Sequence, residues 1–168
     1  MPRPSLQLQS SLWSALEKLN QALPSRLLDT QGQAIRLSTE FHHETQYATL
    51  SHCWGRTLVI QTTTRLLDQY KQNIPFENLS KTFQDALIVC RRLGIRFLWI
   101  DFLCIVQDDP LDWEHEAAKM ADVYAGPYLN ISALAVPDEP KVVSTPAMAA
   151  LSFASLLHRL VLTLRAFP

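Results

Sequence analysis

Apolar and polar positions follow two rhythms along this chain, and the change from one to the other marks its elements. From Phe97 to Val106 nearly every position is apolar, rich in aromatic and β-branched types, with Gly94 before the run and an Asp-Asp-Pro turn after it. A strand covered on both faces reads this way. The rhythm then becomes helical. Asp109 stands as an N-cap, Pro110 at the first helical position and Asp112 at the third, which predicts a helix over 110–125. Steps of three and four from Trp113 reach Glu116, Ala117, Met120, Ala121 and Tyr124, while Glu114, Lys119 and Asp122 fall mostly outside that stripe.

The same spacing in Phe83, Ala86, Leu87, Cys90 and Leu93 predicts a helix over 82–93, with Gln84, Asp85, Arg91 and Arg92 on its polar side. Ser80 or Thr82 caps its start, and Gly94 stops it. Tyr47 to Gly55 reads as a strand ending in a Gly turn, Thr62 to Asn73 as a short helix, and Tyr128 to Val136 as another strand. Pro24–Asp29 and Ala34–Ser38 are two short strands or a hairpin around the turn at Gly32. Helices and strands thus alternate from 47 to 136. That pattern predicts an α/β domain with a mostly parallel central sheet, including 47–51, 96–101 and 128–134, flanked by helices in three layers. Leu12, Leu16, Leu19 and Leu23 suggest an N-terminal helix in a leader over 1–23. After 24–136 the character changes. A Pro-rich breaker opens a divergent tail over 137–168, and its apolar run from Ala147 to Leu164 reads as an atypical C-terminal helix that should contact the core poorly.

Two acids stand where apolar residues are expected. Asp101 interrupts the buried-strand pattern, and an unpaired buried carboxylate costs several kcal/mol, so it must be paired, hydrogen-bonded or at the open strand end. Ligands of open α/β sheets gather at those carboxyl ends. Glu116 lies in the inward helical stripe and requires a polar partner, for which an arginine, a histidine or the Ser51 region are the candidates. A structural ion pair accounts for it as well as a catalytic role does.

Composition narrows the chemistry. A chain of 168 residues holds one domain with a core that buries about 70% of the unfolded surface. Net charge of −1 without a basic cluster excludes an electrostatic nucleic-acid footprint. Cys53, Cys90 and Cys104 lack C-x-x-C spacing, and residues 1–20 lack a secretory apolar block, so reduced thiols and a cytoplasmic location are expected. No membrane span is expected either, because His158 and Arg159 interrupt the 147–164 run. The histidines and cysteines show no zinc spacing, so no metal is expected. His52 and Cys53 project to opposite strand faces, Ser51 lacks a nucleophile elbow, and four glycines form no phosphate-binding loop.

Several blocks then point together: Pro24-Ser-Arg-Leu-Leu-Asp29, YATLSHCWG over 47–55, SKTFQDALIVCRRLG over 80–94, IRFLWIDFLCIVQDD over 95–109 and DWEHEAAKMADVY over 112–124. In order and spacing they resemble the fungal heterokaryon-incompatibility (HET) domain over roughly 24–135. The resemblance implies a role in fungal nonself recognition and programmed cell death, acting by assembly or ligand sensing with protein partners or self-association. It also implies a remote similarity to TIR domains, some of which cleave NAD with a glutamate on a helix. Carried over by position, Glu116 is the catalytic candidate, with Trp113 beside it as a ligand-binding residue; Ser51, Trp54 and Gly55 belong to one further ligand-binding block, and Asp101 and Gln107 to another. No bound cofactor is implied, NAD being a substrate in the alternative enzyme reading, a TIR-like NAD glycohydrolase. Phe102 stands where the family carries a small residue, and a Gly-Leu-Phe segment expected soon after 136 is missing; an inactive gene fragment is therefore a further alternative.

Overall fold

A computed structural model describes residues 23–42, 44–52, 60–133 and 160–164. Its strands are β1 (Leu27–Asp29), β2 (Arg36–Ser38), β3 (Tyr47–Ser51), β4 (Phe97–Trp99), β5 (Leu129–Ala133) and β6 (Leu160–Leu164). The α-helices among the described residues are α1 (Leu67–Gln72), α2 (Lys81–Arg92), α3 (Asp101–Cys104) and α4 (Pro110–Ala125), with a 3-10 turn at Phe76–Asn78.

One open sheet runs in the order β2-β1-β4-β3-β5-β6. Its centre, β4-β3-β5, is parallel, with Thr49 level with Trp99 on one side and Asn130 on the other. The flanking pairs are antiparallel. From β3 the chain crosses through α2 to β4, then returns through α4 over β3 to β5. Right-handed crossovers in opposite directions place α2 and α4 on opposite faces. Side chains agree with that placement. His52 meets Phe83 of α2 edge-on at 5.0 Å, while Trp99 meets Tyr124 of α4 at 5.3 Å and the Tyr47 hydroxyl donates to the Val123 carbonyl at 3.0 Å. Strand alternation separates the two sets. The sheet's two inner faces carry the core, including Leu28, Leu50, Leu98, Trp99 and Ile131, all fully buried.

The α/β alternation and the strand at 47–51 agree with the sequence pattern; three boundaries differ. The apolar run from Phe97 is a strand for three residues only, and Asp101–Cys104 turns as a helix. Asp101 Oδ1 accepts the Phe102 amide at 2.8 Å, and Cys104 N–H bonds back to the Ile100 carbonyl at 2.7 Å. A short apolar run does not by itself distinguish buried strand from buried helix. Helix α1 begins at Leu67, because Thr62 instead bridges Val106 and donates its hydroxyl to the Leu103 carbonyl at 2.6 Å. Ser80, not Thr82, caps α2, and Asp85 is buried beside Lys81 at 2.6 Å rather than lying on a polar face.

The tail also departs from expectation. Residues 160–164 form strand β6, paired with β5 through all five residues and burying Leu160, so this segment is neither helical nor poorly attached. Its β-branched Val161 and Thr163 suit a pleated edge, and the open side of β5 supplies the hydrogen bonds. The expected leader helix and the stretch 147–159 lie outside the described residues.

At the other end of the sheet Asp29 joins β1 to β4. Arg96 donates to its two oxygens at 3.2 and 2.8 Å, Arg36 stands at 3.7 Å, and the Gln31 amide donates at 3.2 Å. Burial pushes the Asp29 carboxyl up, but the hydrogen bonds and the arginine charges outweigh it and hold it below its ordinary value of 3.8.

A carboxyl depressed in the folded state contributes stability that is present above its unfolded value and lost as pH falls through the folded one. Acid titration of stability should therefore show a loss below about pH 4 that Asp29→Asn flattens, read by circular dichroism. Urea unfolding should separate core from surface: Leu98→Ala loses about 2–5 kcal/mol, whereas Leu111→Ala, at a side chain 78% exposed, changes stability by less than about 0.5 kcal/mol.

Candidate functional site

Helix α4 begins where Asp109 Oδ1 accepts the amides of Leu111 and Asp112, with Pro110 at the first position. Because 3.6 residues make a turn, Asp112, Glu116 and Lys119 then share one face. That face meets the chain entering β1. Arg26 places Nη2 at 2.5 Å from Asp112 Oδ2, which also accepts the Val106 amide at 2.8 Å, and Arg26 Nε donates to the Cys104 carbonyl at 2.7 Å. One turn on, Ser25 donates its hydroxyl to Glu116 Oε1 at 2.5 Å and its amide to Oε2 at 3.2 Å. Lys119 Nζ lies 3.7 Å from Glu116 Oε1 and donates to Ser25 Oγ at 3.4 Å.

Glu116 is 1% exposed, so the inward position read from the helical spacing is right. Its partners are Ser25 and Lys119, not an arginine or the Ser51 region; His115 approaches only to 3.9 Å. The stripe itself is rotated. Trp113 is 48% exposed and Ala121 is exposed, while Val123 is fully buried and Lys119 is largely covered. Helical steps locate a face only to within a residue or so, and contact with Ser25 and Arg26, just before β1, chose Asp112 rather than Trp113 as its start.

Asp101 lies at the carboxyl end of β4, 7% exposed, with Oδ1 3.7 Å from His52 Nδ1 just beyond β3. The His52 side chain is 7% exposed between Phe83 and Phe102, and neither ring nitrogen has a hydrogen-bond partner among the described residues. Ser51 is exposed at the end of β3, level with Ser132 of β5. Gln107 works locally: its Nε2 donates to the carbonyls of Asp101 at 3.0 Å and Ile105 at 3.1 Å, pinning the loop that leads to α4. Trp54 and Gly55 lie outside the described residues. The fold therefore gathers Ser51, Asp101 and Gln107 at the strand ends, holds Glu116 under Ser25, and leaves Trp113 on the outer side of α4.

Arg26, Asp112, Lys119, Ser25 and His52 were not singled out from the sequence. Arg26 and Asp112 carried a signal, since an opposite-charge pair sits inside two of the matching blocks. Nothing in the spacing could show that the two touch across 86 residues.

Cys104 reports the electrostatics between these groups. Burial first, then the nearby Glu116 and Asp101 charges, push its thiol up to about 12 against the opposing backbone hydrogen bond and Arg26. It is an unreactive core thiol. Burial likewise raises the Tyr124 phenol, with Asp101 and Cys104 adding to the effect, and its hydroxyl donates to the Leu50 carbonyl at 3.4 Å. Among the described residues no three His, Cys, Asp or Glu side chains group as metal ligands. A cavity of about 410 Å³ near Gln46, Gly94, Arg96 and Tyr128 opens at the opposite, amino ends of the parallel strands.

The Ser25–Glu116 contact yields a direct test. Glu116→Ala strands a serine amide and a lysine, so it should cost about 1–3 kcal/mol more in urea unfolding than Glu114→Ala on the exposed face. A cycle with Ser25→Ala should return a coupling energy well above zero.

Comparison with known proteins bears on what this arrangement serves. A family model described as Heterokaryon incompatibility protein (HET) matches residues 47–158, about two thirds of the chain, from the first residue of β3 through α2, β4, α4 and β5. No curated protein and no solved structure matches the chain. Among the described residues no helix is long and apolar enough to cross a membrane. Strand β3 with Ser51, the block holding Asp101 and Gln107, and the helix holding Glu116 all fall within the matched region, and the chain belongs to the heterokaryon incompatibility (HET) family.

Proposed function

We propose that this chain is an effector domain of nonself recognition, acting in the cytoplasm and triggering programmed cell death by assembly or by sensing a ligand. Membership of the HET family carries the reading. The order β4-β3-β5 supports the ligand-sensing form: β3 crosses to β4 on one side, the chain then returns over β3 to β5 on the other, and ligands of open α/β sheets gather at the carboxyl ends beside such a reversal, where Ser51 and Ser132 stand level.

The alternative is cleavage of NAD in the manner of TIR domains, with Glu116 as the catalytic carboxylate. Its support is the placement of Glu116 on the first half of the helix that follows the Asp101 strand end. Against it stands the burial of that carboxylate. Both oxygens are engaged by Ser25, and a group that stabilises a developing positive charge on a substrate must reach the substrate.

Inducible expression in fungal cells, paired with an assay of nicotinamide release by the purified chain, separates these readings. Wild type and Glu116→Gln should kill alike, and neither should release nicotinamide, because Gln keeps the volume and the acceptor for Ser25. Nicotinamide release that disappears in Glu116→Gln, together with loss of killing, would overturn the preferred reading. An absence of killing by the wild-type chain would overturn the effector reading, and an absence of nicotinamide release the enzyme reading.

A further inference from the structure

The two edges of the sheet are built differently. Strand β2 is three residues long, carries the half-exposed Arg36, and is preceded by Ile35, whose carbonyl accepts the Ile74 amide at 2.7 Å. Short length, charge and a covering segment are the ordinary ways in which an edge is protected from pairing with another chain. Strand β6 has neither of the first two. It is five residues long, Leu160-Val-Leu-Thr-Leu164, with no charge, proline or glycine, and β5 is its one strand neighbour among the described residues. Val161 is 46% exposed and Thr163 is exposed, while Leu160 is buried and Leu162 packs on the core.

We propose that β6 pairs antiparallel with β6 of a second copy of this chain, joining two sheets across a two-fold axis at Leu162. The inference rests on the assembly form of the proposed function and names its partner. The strand is self-complementary in that register. Position 162 faces itself, 160 faces 164 and 161 faces 163, so leucine is paired with leucine and valine with threonine, with no charge opposed to a like charge. Such apolar and β-branched cross-strand pairs stabilise antiparallel ladders, and a two-fold contact of a surface with itself closes as a dimer rather than growing without limit. The backbone amides and carbonyls on the side of β6 away from β5 supply the hydrogen bonds, as in strand addition generally.

Sedimentation equilibrium of the full chain tests the pairing. The chain should dimerise, and Val161→Lys/Thr163→Lys, which sets lysine against lysine at two places, should weaken the dimer at least about tenfold with the circular dichroism spectrum unchanged. The register has its own readout. Val161→Cys/Thr163→Cys should form a disulfide-linked dimer on a non-reducing gel, whereas Val161→Cys alone should not, since it faces threonine. A chain that stays monomeric up to its solubility limit, a dimer indifferent to the two lysines, or a double-cysteine variant that fails to cross-link would each overturn the inference. A dimer lost in the lysine variant while that variant still kills cells leaves the edge pairing standing and overturns assembly as the route to death.

Discussion

The chain entering β1 is held by the face of α4, and the Arg26–Asp112 pair is the contact on which the surrounding arrangement depends. Arg26 is a largely buried cation. It is tolerated because two acceptors hold it: the Asp112 carboxylate on one side and the Cys104 carbonyl on the other. Asp112 in turn takes the Val106 amide, so one ion pair fixes the start of β1, the end of α3 and the loop before α4. Loss of either partner leaves the other charge buried, a far larger penalty than the loss of an exposed pair such as Lys71–Asp68.

Glu116 follows from the same geometry. One turn after Asp112, it meets Ser25, the residue before Arg26, so a helix gripping one residue at its first turn grips the preceding one at its second. Ser25 cannot move away freely, because Leu27 immediately after Arg26 is hydrogen-bonded into the sheet between β2 and β4. The carboxylate is consequently a fixed acceptor inside the fold. A segment before the family match and one within it meet here: Ser25 and Arg26 precede it, and Asp112, Glu116 and Lys119 lie within it.

The strand ends present a different environment. His52 and Asp101 are brought together because β3 and β4 are parallel and in register, so the residues that follow each strand emerge side by side. Asp101 also starts α3 through the Phe102 amide, which ends the strand and redirects the chain toward Gln107 and α4. A single acid thereby shapes the loop that delivers the clamp.

Periodicity was enough for the α/β alternation, for the strand at 47–51, and for the helix at 110–125 with its Asp109 cap, because these depend on local hydrogen bonding and on which face is apolar. Spacing alone also put Glu116 inward. It was not enough for the rotation of the α4 stripe toward Asp112 and away from Trp113, for the helical turn at Asp101–Cys104 inside an apolar run, or for the addition of 160–164 to the sheet. Each of those was decided by a partner distant in the chain: Arg26 for Asp112, Thr62 for the segment after Asp101, and β5 for β6. Local sequence specifies which residues must be buried and which amides need acceptors, whereas only the closed tertiary structure specifies which distant group satisfies them.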